Sequence, residues 1–506
     1  MSEVRRKISL SFLLLLLTIS VAAQDVVIRS GCRRGTPRPQ SSLLRRGGSE
    51  NRMLGGDFYH GERHQLVVLA AYADKTFKGD EAATMEQWNK IFNVKNLSES
   101  PFKGSVHDYF YAQSYGDFNL VFDLQYVQVS GNAMKYASTN VDDENSQYLV
   151  EDIMDVLKER DIDWSQYDWN GDGYVNQLLI IYAGKGMNDG GGSNTIWPHQ
   201  WWMSEHLKDR QPGVYCEPIP VTHGDKEYKV DCYCALAELT SNNDYGSFGT
   251  LCHEYSHCFG FPDFYFASKN GSTKYVYGWD LMDYGNYNDD GYCPPCYSAH
   301  ERWLMGWLTP TELTDATEVS NMQALADEPQ AYLIRNDGYD NEYYIVENRQ
   351  KKGWDTSLPG SGIMIFHIDF DPGIWTSLEE TPNHPASDPD LGKQYPAIER
   401  YVLFHANNSS TVAKWGYPYL SKDSLTNTSK PAATLNNANT DDSKFMNKSL
   451  LDMKVENGLA SFRFTVPPTT GIEERKAEGT PQVLYRLGSV TILRYPNGVI
   501  RKTVIK

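Results

Sequence analysis

The chain has 506 residues, a formal net charge of −18, and 40% hydrophobic and 22% charged residues. It is long enough for more than one domain and for cores that need no metal to staple them. A surface this acidic repels nucleic acid and anionic membrane, which excludes both as expected partners.

The N-terminal string MSEVRRKISLSFLLLLLTISVAAQD passes from basic Arg5, Arg6 and Lys7 through an apolar run to the small residues Val21, Ala22 and Ala23. That is the layout of a secretory signal peptide, residues 1–23, cleaved after Ala23. Its apolar core is shorter than the roughly 20 residues of a spanning helix, and no other stretch is long and apolar enough. Residues 24–62 are polar and rich in Gly, Arg and Ser, a composition that makes no core, and read as a short pro-segment or linker with basic cleavage sites. Cys32 stands there beside Arg33 and Arg34. A thiolate is a strong zinc ligand, so Cys32 is a candidate for blocking a metal site in the uncut precursor; pairing with another cysteine is the alternative.

Order is expected from RHQLVVLAAYAD onward, where Leu66–Ala71 form a run of buried-strand length. Tyr109, Phe110 and Tyr115 suit an amphipathic helix, Leu120, Phe122 and Leu124 alternate as a strand, and 146–160 has helical periodicity. QLLIIYAG supplies another buried strand. Between these lies YDWNGDGYVNQ, in which Asp168, Asn170 and Asp172 alternate ahead of Gly173, as in the first half of a calcium loop. The twelfth position from Asp168 is Leu179, which cannot ligate, so calcium and a plain Asp/Asn/Gly turn both remain open.

The string TLCHEYSHCFGFPDFY follows at 250–265. His253 and His257 are one helical turn apart, so both imidazoles leave the same face and converge on one ion. Glu254 lies beside the first, placed as a base for a water at the ion's open position and not as a ligand. Gly260 permits a sharp exit from the helix, Pro262 discourages its continuation, and Asp263 returns as a carboxylate toward the ion. The expected zinc ligands are His253, His257 and Asp263, with Glu301 of AHERWLMGW as the rival third ligand. Seven of the eight cysteines cluster between Cys216 and Cys296, and CPPC at 293–296 is expected to form a structural bridge.

From 311 the chain changes to short alternating stretches such as AYLIRND, EYYIVENRQ and LASFRFTV, separated by Gly, Pro, Asn and Asp. This predicts a β-rich region, 311–466, packed on or continuing a catalytic domain at 63–310. A polar linker and a PNG hairpin signal then mark 467–506 as a linker with a C-terminal β tail.

The series His253, Glu254, His257, Gly260, Asp263 resembles the metzincin pattern, with aspartate in place of the last histidine. That resemblance implies a methionine turn under the metal, here Met282, and a catalytic hydroxyl at Tyr284. VHDYFYAQSYGDFN, DWNGDGYVNQLLIIYAGKG, IWPHQW, WDLMDYG, AHERWLMGWL and NEYYIVENRQKKGWDTSLPGSGIMIFHID extend the likeness over His64–Asp371. Together they resemble the secreted bacterial zinc metalloproteases of the immune inhibitor A family. The resemblance implies an α+β fold with a zincin-type catalytic domain, a mixed sheet with its active-site helix. It also implies an exported precursor, protein or peptide substrates, zinc, and often calcium. The alternative is a non-catalytic secreted adhesin or carbohydrate-binding protein, whose binding face the β-rich half and 33 tyrosines would supply.

Overall fold

The computed structural model describes residues 58–467, except 138–144, 207–216, 247, 269–270, 376–380, 386, 389–392, 395–396 and 410–415, together with three strands within 482–504. Residues 1–57, with the segment read as a signal peptide, Cys32 and most of the stretch read as pro-segment, lie outside the described residues, as does Cys216; the last residues of that stretch are ordered instead, Phe58 and Tyr59 joining the core and Gly61 opening the first strand.

The first sheet begins with β1 (Gly61–Ala71), whose residues from Gln65 onward are buried. Helices α1 (Glu81–Asn93) and α2 (Val106–Gln113) follow, then β2 (Phe118–Gln128), α3 (Ser146–Leu157), β3 (Leu178–Lys185), β4 (His199–Trp202) and β5 (Cys232–Leu239). The strands pair in the order β2-β1-β3-β5-β4; all neighbours are parallel except β4, which runs antiparallel along the β5 edge. The near-continuous apolar runs of β1 and β3 are what a parallel sheet covered on both faces requires.

α2 starts with a reciprocal cap, Ser105 Oγ accepting from Asp108 N at 3.1 Å and Asp108 Oδ2 accepting from Ser105 N at 2.9 Å. The helix ends earlier than its aromatic pattern suggests. Ser114 Oγ donates to the Phe110 carbonyl and accepts from Phe118 N, and Tyr115 turns into the left-handed region at φ 55°. Tyr115 thereby leaves the helix face. Its hydroxyl donates to the Leu325 carbonyl at 2.8 Å and the Arg302 guanidinium lies over its ring.

The helix that carries the histidines, α4 (Phe248–Cys258), packs on β5 and β4. The short helix α5 (Ala299–Leu304) leads into the second, mainly antiparallel sheet. Its strands include β6 (Ala331–Asn336), β7 (Tyr339–Arg349), β8 (Gly362–Asp369) and β9 (Tyr401–Leu403), paired in that order. Strand alternation assigns the two faces of this sheet to two cores. Tyr343 and Ile345 of β7 with Met364, Phe366 and Ile368 of β8 join the core of the first sheet. Tyr344, Val346, Ile363 and Ile365 face a second core, built with a three-stranded sheet of Thr317–Met322, Ser449–Glu456 and Leu459–Thr465. The β-rich region is therefore packed against the first sheet through one shared core. Three further antiparallel strands, Gln482–Leu487, Val490–Arg494 and Ile500–Val504, form the C-terminal β element, the last two pairing around the PNG segment as a hairpin requires. No helix among the described residues is long and apolar enough to cross a membrane.

His300 of α5 sits in the shared core, fully buried against Tyr343, Phe370, Trp375 and Tyr401, and its Nε2 has no hydrogen-bond partner. Burial pushes its pKa down from 6.5 to about 3. Between those values the unfolded chain binds the proton and the folded chain does not. Stability is therefore full above pH 6.5 and is lost as pH falls, by up to about 1.4 kcal/mol per pH unit from this group. Urea midpoints measured across that window are expected to decline with falling pH, and His300→Phe is expected to flatten the decline by about one proton's worth of slope.

Candidate metal centre

Every residue of α4 up to His257 is buried, and His253, Glu254 and His257 are each no more than 3% exposed. The helix can lie this close because it begins Phe248–Gly249: a Cβ at Gly249 would stand 1.9 Å from the Asn286 carbonyl oxygen. At the other end Gly260 takes φ +96°, its N–H bonding back to the His257 carbonyl at 2.9 Å. This left-handed exit closes the helix and turns the chain through Phe261 and Pro262 to Asp263.

The imidazole orientations follow from their second nitrogens. His253 Nδ1 donates to the Leu281 carbonyl at 2.8 Å, and His257 Nδ1 donates to the Phe261 carbonyl, also at 2.8 Å. Each Nε2 is then left with a lone pair. Asp263 Oδ1 lies 3.1 Å from His253 Nε2 and 3.5 Å from His257 Nε2. These are ion-pair distances, yet His257 Nε2 and Asp263 Oδ1 have no hydrogen-bond partner although both are buried. With both rings neutral, lone pairs face lone pairs, an arrangement that a proton on Nε2 or a cation between the groups satisfies and an empty pocket does not. Ligand atoms of His253, His257 and Asp263 all fall within 4.8 Å of one another. The donor set of two imidazoles and one carboxylate fits zinc.

The electrostatics point the same way. Burial alone would lower the His253 pKa, but Asp263, with help from Glu254 and the Leu281 carbonyl, raises it to about 9. Burial likewise opposes ionisation of Asp263, and the two imidazoles outweigh it and hold the carboxyl far below its ordinary range. The pocket favours positive charge between these three groups.

A methionine turn runs past the cluster. Met282 is fully buried, and its carbonyl accepts from Phe264 N at 2.8 Å, tying the turn to the segment that carries Asp263. Asp280 Oδ1 accepts from Met282 N at 2.8 Å, and Asp280 Oδ2 accepts from the Tyr401 hydroxyl of β9 at 2.7 Å. Glu301, the rival ligand, is elsewhere. It caps α5, accepting from Ser298 N at 2.7 Å and Ser298 Oγ at 2.9 Å, and it hydrogen-bonds Asp280. Burial pushes both carboxyls up, Glu301 well above its usual value with the Asp280 charge adding to the rise. Glu301 thus lies beside Asp280, under the turn, and Asp263 is the carboxylate brought to both imidazoles.

Tyr284 is half-buried, its ring against Tyr287 at 5.0 Å with the Lys274 ammonium 3.5 Å above it. Asp168, Asn170 and Asp172 lie in a separate loop that closes on itself: Asp168 accepts from Asp172 N and Gly173 N, Asp172 accepts from Tyr174 N, and Asn170 Nδ2 donates to Asp172. The CPPC thiols are not bridged. Cys293 and Cys296 are both free, and Cys293 Sγ is directed to the Trp354 carbonyl at 3.4 Å, away from any pairing within the motif. Asp280 lies within WDLMDYG and Ser298 just ahead of AHERWLMGWL, neither with a role readable from the sequence; Tyr401 carried no local signal at all.

Two comparisons with known proteins bear on this fold and site. Residues 80–302 match the family described as Immune inhibitor A peptidase M6, catalytic domain. Immune inhibitor A of Bacillus thuringiensis subsp. alesti is 28% identical over 240 residues, 42% of this chain and 31% of the relative, so the match spans less than a third of that protein's length. Residues 80–302 are therefore similar to the catalytic domain of the immune inhibitor A peptidases.

Because the Asn286 carbonyl is backbone and cannot swing aside, Gly249→Ala is expected to displace α4 from its bed and cost about 1–3 kcal/mol. A thermal melt reads this directly, as a midpoint several degrees below that of the parent chain; an unchanged midpoint would mean that the helix is not so closely seated.

Proposed function

We propose that this chain is an exported zinc-dependent endopeptidase that hydrolyses peptide bonds of extracellular proteins. The observation that carries the reading is the convergence of His253 Nε2, His257 Nε2 and Asp263 Oδ1 in a buried pocket, with both Nδ1 atoms spent on backbone carbonyls. His253, His257 and Asp263 would hold the ion. When bound, zinc supplies a Lewis acid that polarises the scissile carbonyl and brings the pKa of water at its open position to about 7.

Glu254 follows His253 on the same helix and is 3% exposed. It takes the proton from the attacking water and passes it to the departing amine, serving in turn as base and acid. The His253 imidazole and the thiols of Cys234 and Cys258 lie close enough to feel its charge. The water-poor setting strengthens each of these polar contacts. Tyr284, two residues beyond Met282, is assigned the hydrogen bond to the developing oxyanion. Export is supported by the signal-like residues 1–23 and the basic sites of residues 24–62.

Casein digestion by the purified chain tests the reading. Activity is expected to disappear with a chelator and return with zinc. Glu254→Gln is expected to retain zinc while losing about 10²–10⁴-fold in kcat, the range of a general acid–base group. Tyr284→Phe is expected to lower kcat with KM little changed. Chelator-resistant cleavage, or near-parental turnover by zinc-loaded Glu254→Gln, would defeat the proposal.

A further inference from the structure

The described cysteines, all free thiols, are not equivalent. Cys234, Cys252 and Cys296 are sealed in the interior, at 2% exposure or less. Cys232 and Cys258 are different: their Sγ atoms lie 4.0 Å apart. Cys232 opens β5, where the Gln200 side-chain amide of the neighbouring β4 donates to its sulfur at 3.3 Å. Cys258 closes α4, directly after His257, and is only partly buried. One sulfur thus belongs to the sheet and the other to the end of the histidine helix. Of the two residues, Cys258 is the more exposed.

We propose that Cys232 and Cys258 form a disulfide that fastens the C-terminal end of α4 to β5. A disulfide needs its sulfurs at about 2.05 Å, so closure asks for an approach of about 2 Å. The oxidant is a small-molecule disulfide such as oxidised glutathione. The Cys258 sulfur attacks one sulfur of that reagent and forms a mixed disulfide, releasing the first glutathione thiolate. The Cys232 sulfur then attacks the Cys258 sulfur and releases the second. The protein loses two thiol protons and two electrons, and the reagent gains both as two reduced glutathione molecules.

The cross-link closes a loop over residues 233–257, which contains both histidines, Glu254 and all of β5 after its first residue. It removes freedom from the unfolded chain and fixes the end of the helix from which His257 projects. Where the protein meets an oxidant rests on the export reading; the pairing itself does not, because it is tested on purified chain.

The test is to incubate the folded chain with oxidised glutathione, block remaining thiols with iodoacetamide, digest without reductant and map the peptides by mass. The expected product is a linked pair of peptides carrying Cys232 and Cys258, lighter by two hydrogens than their sum, with Cys234 and Cys252 still thiols. For a closed loop of about 25 residues, reduction is expected to lower Tm by about 3–5 °C. The Cys232→Ala, Cys258→Ala double variant is expected to melt at the reduced chain's temperature and to ignore reductant. Alkylation of Cys232 and Cys258 after oxidation, or a link from Cys258 to any other cysteine, would overturn the proposal. If the link forms while casein cleavage proves independent of zinc, the functional reading fails and this one stands.

Discussion

The hydrogen bond from His253 Nδ1 to the Leu281 carbonyl is the contact on which the site depends. It fixes the ring's tautomer and aims Nε2 at Asp263, and it couples the histidine helix to a turn that the helix itself does not control. The turn is held in place by Asp280, which takes the Met282 N–H, and Asp280 is held by Tyr401 and by the acid of Glu301. Outer partners of this kind set ligand orientation, and their loss typically costs a metal site about 10–100-fold in affinity or activity. The site therefore extends from α4 through the methionine turn to β9 of the second sheet.

This chain of support gives the second sheet a part in the chemistry. Its β7 and β8 strands place alternate side chains in two cores, so the sheet is gripped from both faces and cannot slide without cost to either. Tyr401 projects from that sheet to Asp280 while its ring stacks on Phe264, the residue after Asp263. One aromatic side chain thus touches both the support of the turn and the segment that delivers the carboxylate. The family match ends at residue 302, but the structure beneath the site continues for a further hundred residues.

The site's core was legible in the sequence because it is local. The four-residue histidine spacing, the glutamate between, Gly260 at φ +96° and Asp263 all lie in one string, and each has a geometric meaning that a single helix turn enforces. The strands at Leu66–Ala71 and QLLIIYAG were legible for the same reason, as were the alternating runs of the β-rich region. Glu301 illustrates where such reading stops. As a carboxylate on a downstream helix it is chemically a fair ligand, and only its capping of α5 and its contact with Asp280 show it engaged elsewhere. Tyr401 and the Cys232–Cys258 pair arise from pairings between segments far apart in the chain, for which hydrophobic periodicity has no sign. Tyr115 was assigned to a helix face on its spacing, but Ser114 competes for the backbone and ends the helix first.

The shortness of the Asp263 return has a consequence for how the centre assembles. His253 to Asp263 spans eleven positions of chain, closed by one helix and one left-handed glycine, so bringing these three side chains together costs little loop-closure entropy. Uniting Asp280 with Tyr401 closes a loop roughly ten times longer, a contact that must await the docking of the second sheet. The order of events is built into the connectivity: the donor atoms gather first as a local, loosely aimed cluster, and their final alignment arrives with the last long-range contacts.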